Sequence, residues 1–221
     1  MTSAIHPILI AVDGPAASGK GTIALALARH FRLPHMDTGS LYRAVALTMF
    51  RFGGDPGSEF EALRACEGVA QIDPTDPELR SEVVGSIASR ISAYSGVRSA
   101  LLDRQRSFAS QSSGAVLDGR DIGTVIAPNA TAKLFVTASQ EVRAQRRVRE
   151  LLERGMPAGY EDVLIDIRAR DERDANRDTA PLLQADDADL LDTSEMDIDE
   201  AIAAAIELVE KKLAAVALKP A

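Results

Sequence analysis

A glycine-bounded loop, Gly14-Pro15-Ala16-Ala17-Ser18-Gly19-Lys20-Gly21-Thr22, constrains this chain more than any other stretch. It follows an apolar run over 8–12 and precedes a helix-like stretch over 23–30. Strand, glycine-bounded loop and helix in that order form the setting in which a loop binds phosphate. Successive backbone N–H groups there line a concave anion site, and the positive end of the following helix points into it. Gly14, Gly19 and Gly21 let main chain approach phosphate oxygens without an intervening Cβ. Lys20 adds a point charge for the outer phosphates. In the strict pattern Ser or Thr follows the lysine directly, whereas here Gly21 intervenes and the hydroxyl comes from Thr22. Thr22 is therefore expected to serve Mg2+ directly or through water. A turn that merely joins strand to helix is the plainer reading, and the spacing of Gly14, Gly19 and Lys20 argues against it.

Composition narrows the partners. The 221 residues suit one domain with mobile parts or insertions, and 46% apolar with 26% charged residues fits a globular core. A net charge of −8 argues against a general nucleic-acid or membrane-surface binder. Any positive site must then be local and made of grouped arginines. The single Cys66 excludes an internal disulfide and reads as a small, buried or half-buried apolar residue; three histidines leave no metal-ligand cluster. No stretch approaches the roughly 20 apolar residues of a membrane span. The first apolar run lacks a preceding basic region and reads as a strand rather than a signal peptide. A cytoplasmic, reducing location and a monomer are expected.

A short strand is expected over 31–36, leading to Asp37-Thr38-Gly39-Ser40-Leu41-Tyr42-Arg43. Thr38 or Ser40 can cap the next helix, which runs towards Met49. Arg43 lies in its first turns, placed either to meet a phosphate or to pair with a surface acid. Residues 53–57 are turn-rich, and helices over 59–68, 78–93 and 97–109 with a proline break at 73–77 read as an inserted helical subdomain. An apolar strand over 115–118 ends in Asp118, followed by Gly119-Arg120-Asp121. Such an acid commonly partners a phosphate loop, because it can hold Mg2+ or its waters. Doubly wound sheets also bind ligands at the carboxyl ends of their strands. Plain turn residues are the alternative for Asp118 and Asp121.

A strand over 133–137 precedes a helix through Glu153, with Ser139 as its cap. That helix carries Arg143, Arg146, Arg147 and Arg149, with Arg154 at its end. After a glycine-bounded break at 155–159, a helix over 161–177 carries Arg168, Arg170, Arg173 and Arg177. Interleaved acids would suit a merely solvated face. Arg170, Asp174 and Arg177, at i, i+4 and i+7, share one helical face and favour a function. The two helices read as a hinged flap. A strand over 188–191 and an amphipathic helix over 198–216 follow. The alternation argues for a parallel sheet covered on both faces. A phosphate loop, an acidic strand end and mobile arginines together point to phosphoryl transfer, which needs positioning, charge neutralisation and exclusion of water.

The loop ending Gly-Lys-Gly-Thr resembles that of nucleoside monophosphate kinases. The stretches 37–43, 118–124 (Asp-Gly-Arg-Asp-Ile-Gly-Thr) and 170–177 (Arg-Asp-Glu-Arg-Asp-Ala-Asn-Arg) resemble the bacterial cytidylate kinases in particular. The match runs from about Ile8 to the last helix. It implies an α/β P-loop NTPase fold: a five-stranded parallel core with helices on both faces, in one domain over 1–221. An acceptor-binding insert over 53–95 and a lid over 150–178 complete it. The activity implied is ATP-dependent phosphorylation of CMP and dCMP, with Mg2+ at Thr22 and Asp118.

Carried over by motif, ATP lies on Gly14, Pro15, Ala16, Ala17, Ser18, Gly19, Lys20, Gly21 and Thr22, and meets Arg147. Thr38, Arg43, Arg120 and Arg177 surround the acceptor phosphate, Ser89, Arg98 and Asp121 the cytosine, and Arg170 with Asp174 the sugar. Lys20, Arg120, Arg173 and Arg177 take the catalytic roles. The chemistry suits cytosine, since a carboxylate accepts from N4 and an arginine donates to N3 and O2. One departure is visible: 66–78 is too short and proline-broken to build the β-hairpin of familiar members fully. Another small-molecule P-loop kinase is the first rival. A nucleotide switch is the second, and the Asn-Lys-x-Asp string of a guanine reader is missing from the sequence.

Overall fold

The computed structural model describes residues 7–218; the six residues before and three after, which the expected 1–221 domain and the leader reading include, lie outside the described residues. Strands β1 (Leu9–Asp13), β2 (His35–Asp37), β3 (Ala115–Gly119), β4 (Ala132–Thr137) and β5 (Asp189–Asp192) form one parallel sheet, ordered β2-β3-β1-β4-β5. The central strands are short apolar runs buried on both faces, as a parallel sheet requires: Ile10, Ala11, Val12 and Val116 are fully buried. Asp13 of β1 lies opposite Gly119 of β3 and Phe135 of β4, so the carboxyl ends of β1 and β3 stand level while β4 runs two residues further, to Thr137. β1 is flanked by β3 and β4, and its carboxyl end is a switch point of the kind that collects ligands.

Eight helices are described: α1 (Lys20–Phe31), α2 (Thr38–Phe52), α3 (Glu59–Ala65), α4 (Glu82–Ile91), α5 (Ser95–Ala109), α6 (Gln140–Glu153), α7 (Tyr160–Asn176) and α8 (Ile198–Ala217). α1 and α8 cover one sheet face, packing Leu27 and Val209 on Ile10, Val12 and Leu134. The other face packs Leu117 against Ala109, Ile122 and Ile126. Each side chain of this size contributes about 2 kcal/mol by leaving water. Two satellite cores sit beside the sheet. One gathers Val45, Leu47, Ile91 and Leu101 from α2, α4 and α5, and the other joins α6 to α7 through Leu151, Leu164 and Ile167.

Several expected boundaries move. The strand expected over 31–36 is only β2, because α1 continues to Phe31 and ends where Arg32 turns left-handed (φ 55) ahead of Pro34. Thr38 and Ser40 do not cap α2. Their hydroxyls donate instead to Asp118 O at 2.8 Å and Asp37 O at 2.6 Å, which serves the site rather than the helix end. The helix expected over 59–68 stops at Ala65 and tightens into a 3-10 turn, Cys66–Gln71. The one expected over 78–93 splits into a 3-10 turn, Pro77–Arg80, and α4, whose cap Ser81 accepts from the Val84 amide. The 66–78 stretch thus holds two 3-10 turns and no described strand. α7 ends at Asn176, so Arg177 lies just past the helix in extended conformation, and its face is set by tertiary contacts rather than by helical period. Ser139 does cap α6, accepting from Val142 N at 3.3 Å.

Candidate active site

The loop between β1 and α1 lies tight against β4. A Cβ on Gly14 would stand 2.0 Å from the Val136 carbonyl oxygen, so only glycine fits. Gly19 caps α1 with no side-chain acceptor, which leaves the first amides of the helix open to an anion. Lys20 begins α1 on the cleft side. Burial, reinforced by Arg120, lowers its ammonium from an ordinary 10.5 to about 7. The lysine is therefore set in a place that asks for a negative charge.

Beyond this loop the carboxyl ends of β2 and β3, α2, α4, α5 and α7 enclose one cleft. Its lining brings together Lys20 and Gly21 with Thr38, Arg43, Ser89, Arg98, Asp118, Arg120, Asp121, Arg170, Asp174 and Arg177. All the residues expected around the acceptor are among them. Carboxylates hold the cations apart: Asp37 pairs with Arg43, Asp121 with Arg98, and Asp174 Oδ2 accepts from Arg120 Nε at 2.8 Å. Burial pushes the Asp174 carboxyl up, but Arg120 and Arg170 outweigh it and keep it below the usual range. Arg170 is pulled down to about 10 by burial, and its Nε has no partner. Cationic side chains outnumber acidic ones in the lining, six to four, in a chain whose net charge is −8. Such a cleft draws in an anion.

The family model described as Cytidylate kinase matches residues 10–211. The chain belongs to the cytidylate kinase family. Relatives in the family include the cytidylate kinase of Xanthobacter autotrophicus, 58% identical, covering 94% of this chain and 99% of its own. That of Azorhizobium caulinodans is 54% identical, covering 92% and 98%. A crystal structure of an uncharacterized protein from Eubacterium ventriosum shares the fold with a TM-score of 0.54 at 17% identity, covering 92% of this chain and 98% of its own. The chain is thus an enzyme of this kinase family with its α/β fold, the five-stranded parallel sheet expected from the sequence.

Other residues that the family resemblance singles out stand at the rim or elsewhere. Thr22 is exposed on the first turn of α1 and lies outside the cleft lining. Arg147 pairs with Glu82 of α4 and with Glu150. Arg146 of α6 also stands against the phosphate loop, 4.0 Å from where a Cβ on Gly19 would lie and bonded to Thr193 Oγ1 at 2.9 Å. Arg173 reaches Ser89 Oγ at 3.4 Å from an adjoining hollow between α4 and α7.

Four contributors were not singled out as site residues from sequence. Asp37 and Tyr42 line the cleft, the latter with its ring centroid 5.8 Å from Arg98 Cζ. Both sit inside the 37–43 motif, which was the available signal. Asp13 accepts from Ile122 N at 2.8 Å and Gly123 N at 2.7 Å, tying the end of β1 to the segment after Asp121. Burial raises its carboxyl from 3.8 to about 6. His35 Nε2 lies 2.8 Å from Asp118 Oδ1, and no local pattern announces that pair.

Asp118 is also where a cation would be met. It is buried, its Oδ1 is held by His35, and its Oδ2 lies 3.7 Å from a Cβ position on Gly21. A single oriented carboxylate beside a phosphate loop suits Mg2+, which keeps most of its waters and takes the rest of its oxygens from phosphate. No described helix is long and apolar enough to cross a membrane.

Proposed function

We propose that the chain transfers the terminal phosphoryl group of ATP to CMP and dCMP by in-line displacement. The observation that carries this reading is the cleft in which Lys20 and Gly21 of the donor loop face Arg43 of α2, Arg120 just past β3, Arg170 of α7 and Arg177 just past it. Two polyanions must be brought together, and each needs its own cations. Lys20 and the loop amides from Gly14 to Thr22 hold the donor. Arg43, Arg120 and Arg177 hold the acceptor phosphate, with Thr38 fixed beside them by its bond to Asp118 O. Asp121 accepts from the cytosine amine while Arg98 and Ser89 meet the ring, and Arg170 with Asp174 takes the sugar. Lys20, Arg120, Arg173 and Arg177 neutralise charge as the group moves.

Asp118, with Thr22 through water, would hold Mg2+, which supplies charge neutralisation on the donor phosphates when bound. Residues 53–95 form the acceptor insert and 150–178 a lid that excludes water, since an open site would spend ATP on hydrolysis. The enzyme works as a cytoplasmic monomer on small nucleotides, without nucleic acid or membrane. A coupled assay with ATP and a panel of CMP, dCMP, UMP and AMP tests this directly. CMP and dCMP are expected to turn over fastest, and Lys20→Ala to abolish turnover in a folded protein. Equal rates on AMP or UMP would refute the assignment.

A further inference from the structure

Arg143 belongs to the arginine-rich helix α6, yet it does not line the cleft. It is only 3% exposed. Its Nε donates to Ala138 O at 2.9 Å, just beyond β4. Its Nη1 donates to Ala16 O of the phosphate loop at 3.1 Å and to Asp171 Oδ1 at 2.9 Å. Its Nη2 donates to Asp171 Oδ2 at 2.5 Å. Asp171 lies on α7 between Arg170 and Asp174, and is steadied by Gln140 Nε2 at 3.1 Å. One side chain therefore joins the sheet end, the donor loop and the helix that carries the acceptor ligands.

These bonds occupy nearly all the donors of a guanidinium, so little is left for a phosphate. The contact with the loop falls at a strained point. Ala17 has φ 57, a left-handed conformation that costs a non-glycine residue about 1–2 kcal/mol. The Ala16–Ala17 peptide is planar and trans. Holding its carbonyl towards Arg143 turns the Ala17 N–H to the opposite side, away from α6. A bidentate arginine–carboxylate pair fixes orientation as well as distance, and lysine cannot reproduce it.

We infer that Arg143 is a positioning residue that couples the donor loop to the lid. The peptide at Ala16 and Ala17 sets, through Asp171, where Arg170 and Asp174 stand. This rests on the reading of α7 as the acceptor-binding part of the lid. Its signature is the linkage between the two ligands rather than the affinity for either.

The test titrates CMP by calorimetry into the full chain, alone and saturated with a non-hydrolysable ATP analogue, in the unsubstituted protein, Arg143→Lys and Asp171→Asn. In the unsubstituted protein the analogue is expected to change the CMP Kd about fivefold or more. In both variants that factor falls below about twofold, while the Kd for CMP alone stays within about threefold. A factor retained in a folded variant overturns the inference, as does a factor of one in the unsubstituted protein. Failure of both variants to fold also overturns it, making the arginine a folding element. Failure of the unsubstituted protein to bind CMP refutes the acceptor-site reading itself and the inference with it.

Discussion

Arg98 and Asp121 form a buried ion pair in the cleft, the arginine reaching from α5 and the acid standing just past β3. Asp121 also faces Arg177 at 3.8 Å, and Arg98 donates to Ser92 O at 3.3 Å while lying over the Tyr42 ring. An acceptor for an exocyclic amine and a donor for ring acceptors are thus held side by side. Cytosine presents that amine; uracil presents a carbonyl to the same carboxylate and leaves it unpaired.

Asp121→Asn is predicted to lower kcat/KM for CMP by about 10–100-fold, the cost of roughly 1–3 kcal/mol for a buried charged partner lost. Rates on UMP should fall less, because the asparagine amide can donate to the uracil carbonyl. Steady-state rates on both substrates check this. An unchanged CMP to UMP ratio would sink the assignment of Asp121 to the base.

Lys20 predicts proton uptake on donor binding. Its ammonium is lowered to about 7, so at pH 8 roughly nine-tenths of the free enzyme carries a neutral lysine. Phosphate oxygens favour the charged form and raise the value, so binding draws a proton from buffer. At pH 6 roughly nine-tenths of the lysine is already charged and uptake falls to about a tenth of a proton. Calorimetry of a non-hydrolysable ATP analogue in buffers of different ionisation enthalpy reads this number. Heats independent of buffer at pH 8 would contradict it.

Asp13 predicts a stability change of opposite sense to that of an ion-paired acid. Its folded value, about 6, lies above the unfolded 3.8, so the folded state holds the proton longer. Its contribution is fully present below about pH 4 and is lost as pH rises through 6. Relative to Asp13→Asn, the unsubstituted protein should lose about 1 kcal/mol between pH 5 and pH 7. Urea unfolding of both at the two pH values measures the gap. A gap that stays constant would mean that the acid is charged throughout.

What could be read from sequence was local. Gly14, Gly19 and Lys20 are constrained by spacing along one loop, and Asp118 by its place at the end of an apolar run. The contacts that position those residues join distant segments: Asp13 to Gly123, His35 to Asp118, and Arg143 to Ala16. Sheet order brings them together, and no window of sequence contains both partners. Thr38 looked like a cap because a hydroxyl at a helix start usually accepts an amide. Here it donates across to Asp118 O, since β2 and β3 are neighbours. Helical period puts Arg177 on one face with Arg170 and Asp174, and the family motif sets it by the acceptor phosphate; it does line the cleft, but beyond the helix end and facing Asp121.

Arg147 closes a bridge between α6 and α4. It pairs with Glu82 of α4, and nearby Arg154 Nη1 donates to Arg80 O at 3.3 Å. Glu82 is half exposed, so the pair adds at most about 1 kcal/mol to stability. An arginine that serves the donor phosphates has to leave that carboxylate first, and Glu82 then competes with ATP. Glu82→Gln is therefore predicted to lower the KM for ATP about two- to threefold, with kcat within about twofold, because the neutral amide holds the guanidinium less strongly. Arg147→Ala should raise the same KM several-fold. Initial rates at saturating CMP with ATP varied settle the matter: an ATP KM unmoved in both variants would make Arg147 a structural tie between α6 and α4 rather than a ligand of the donor.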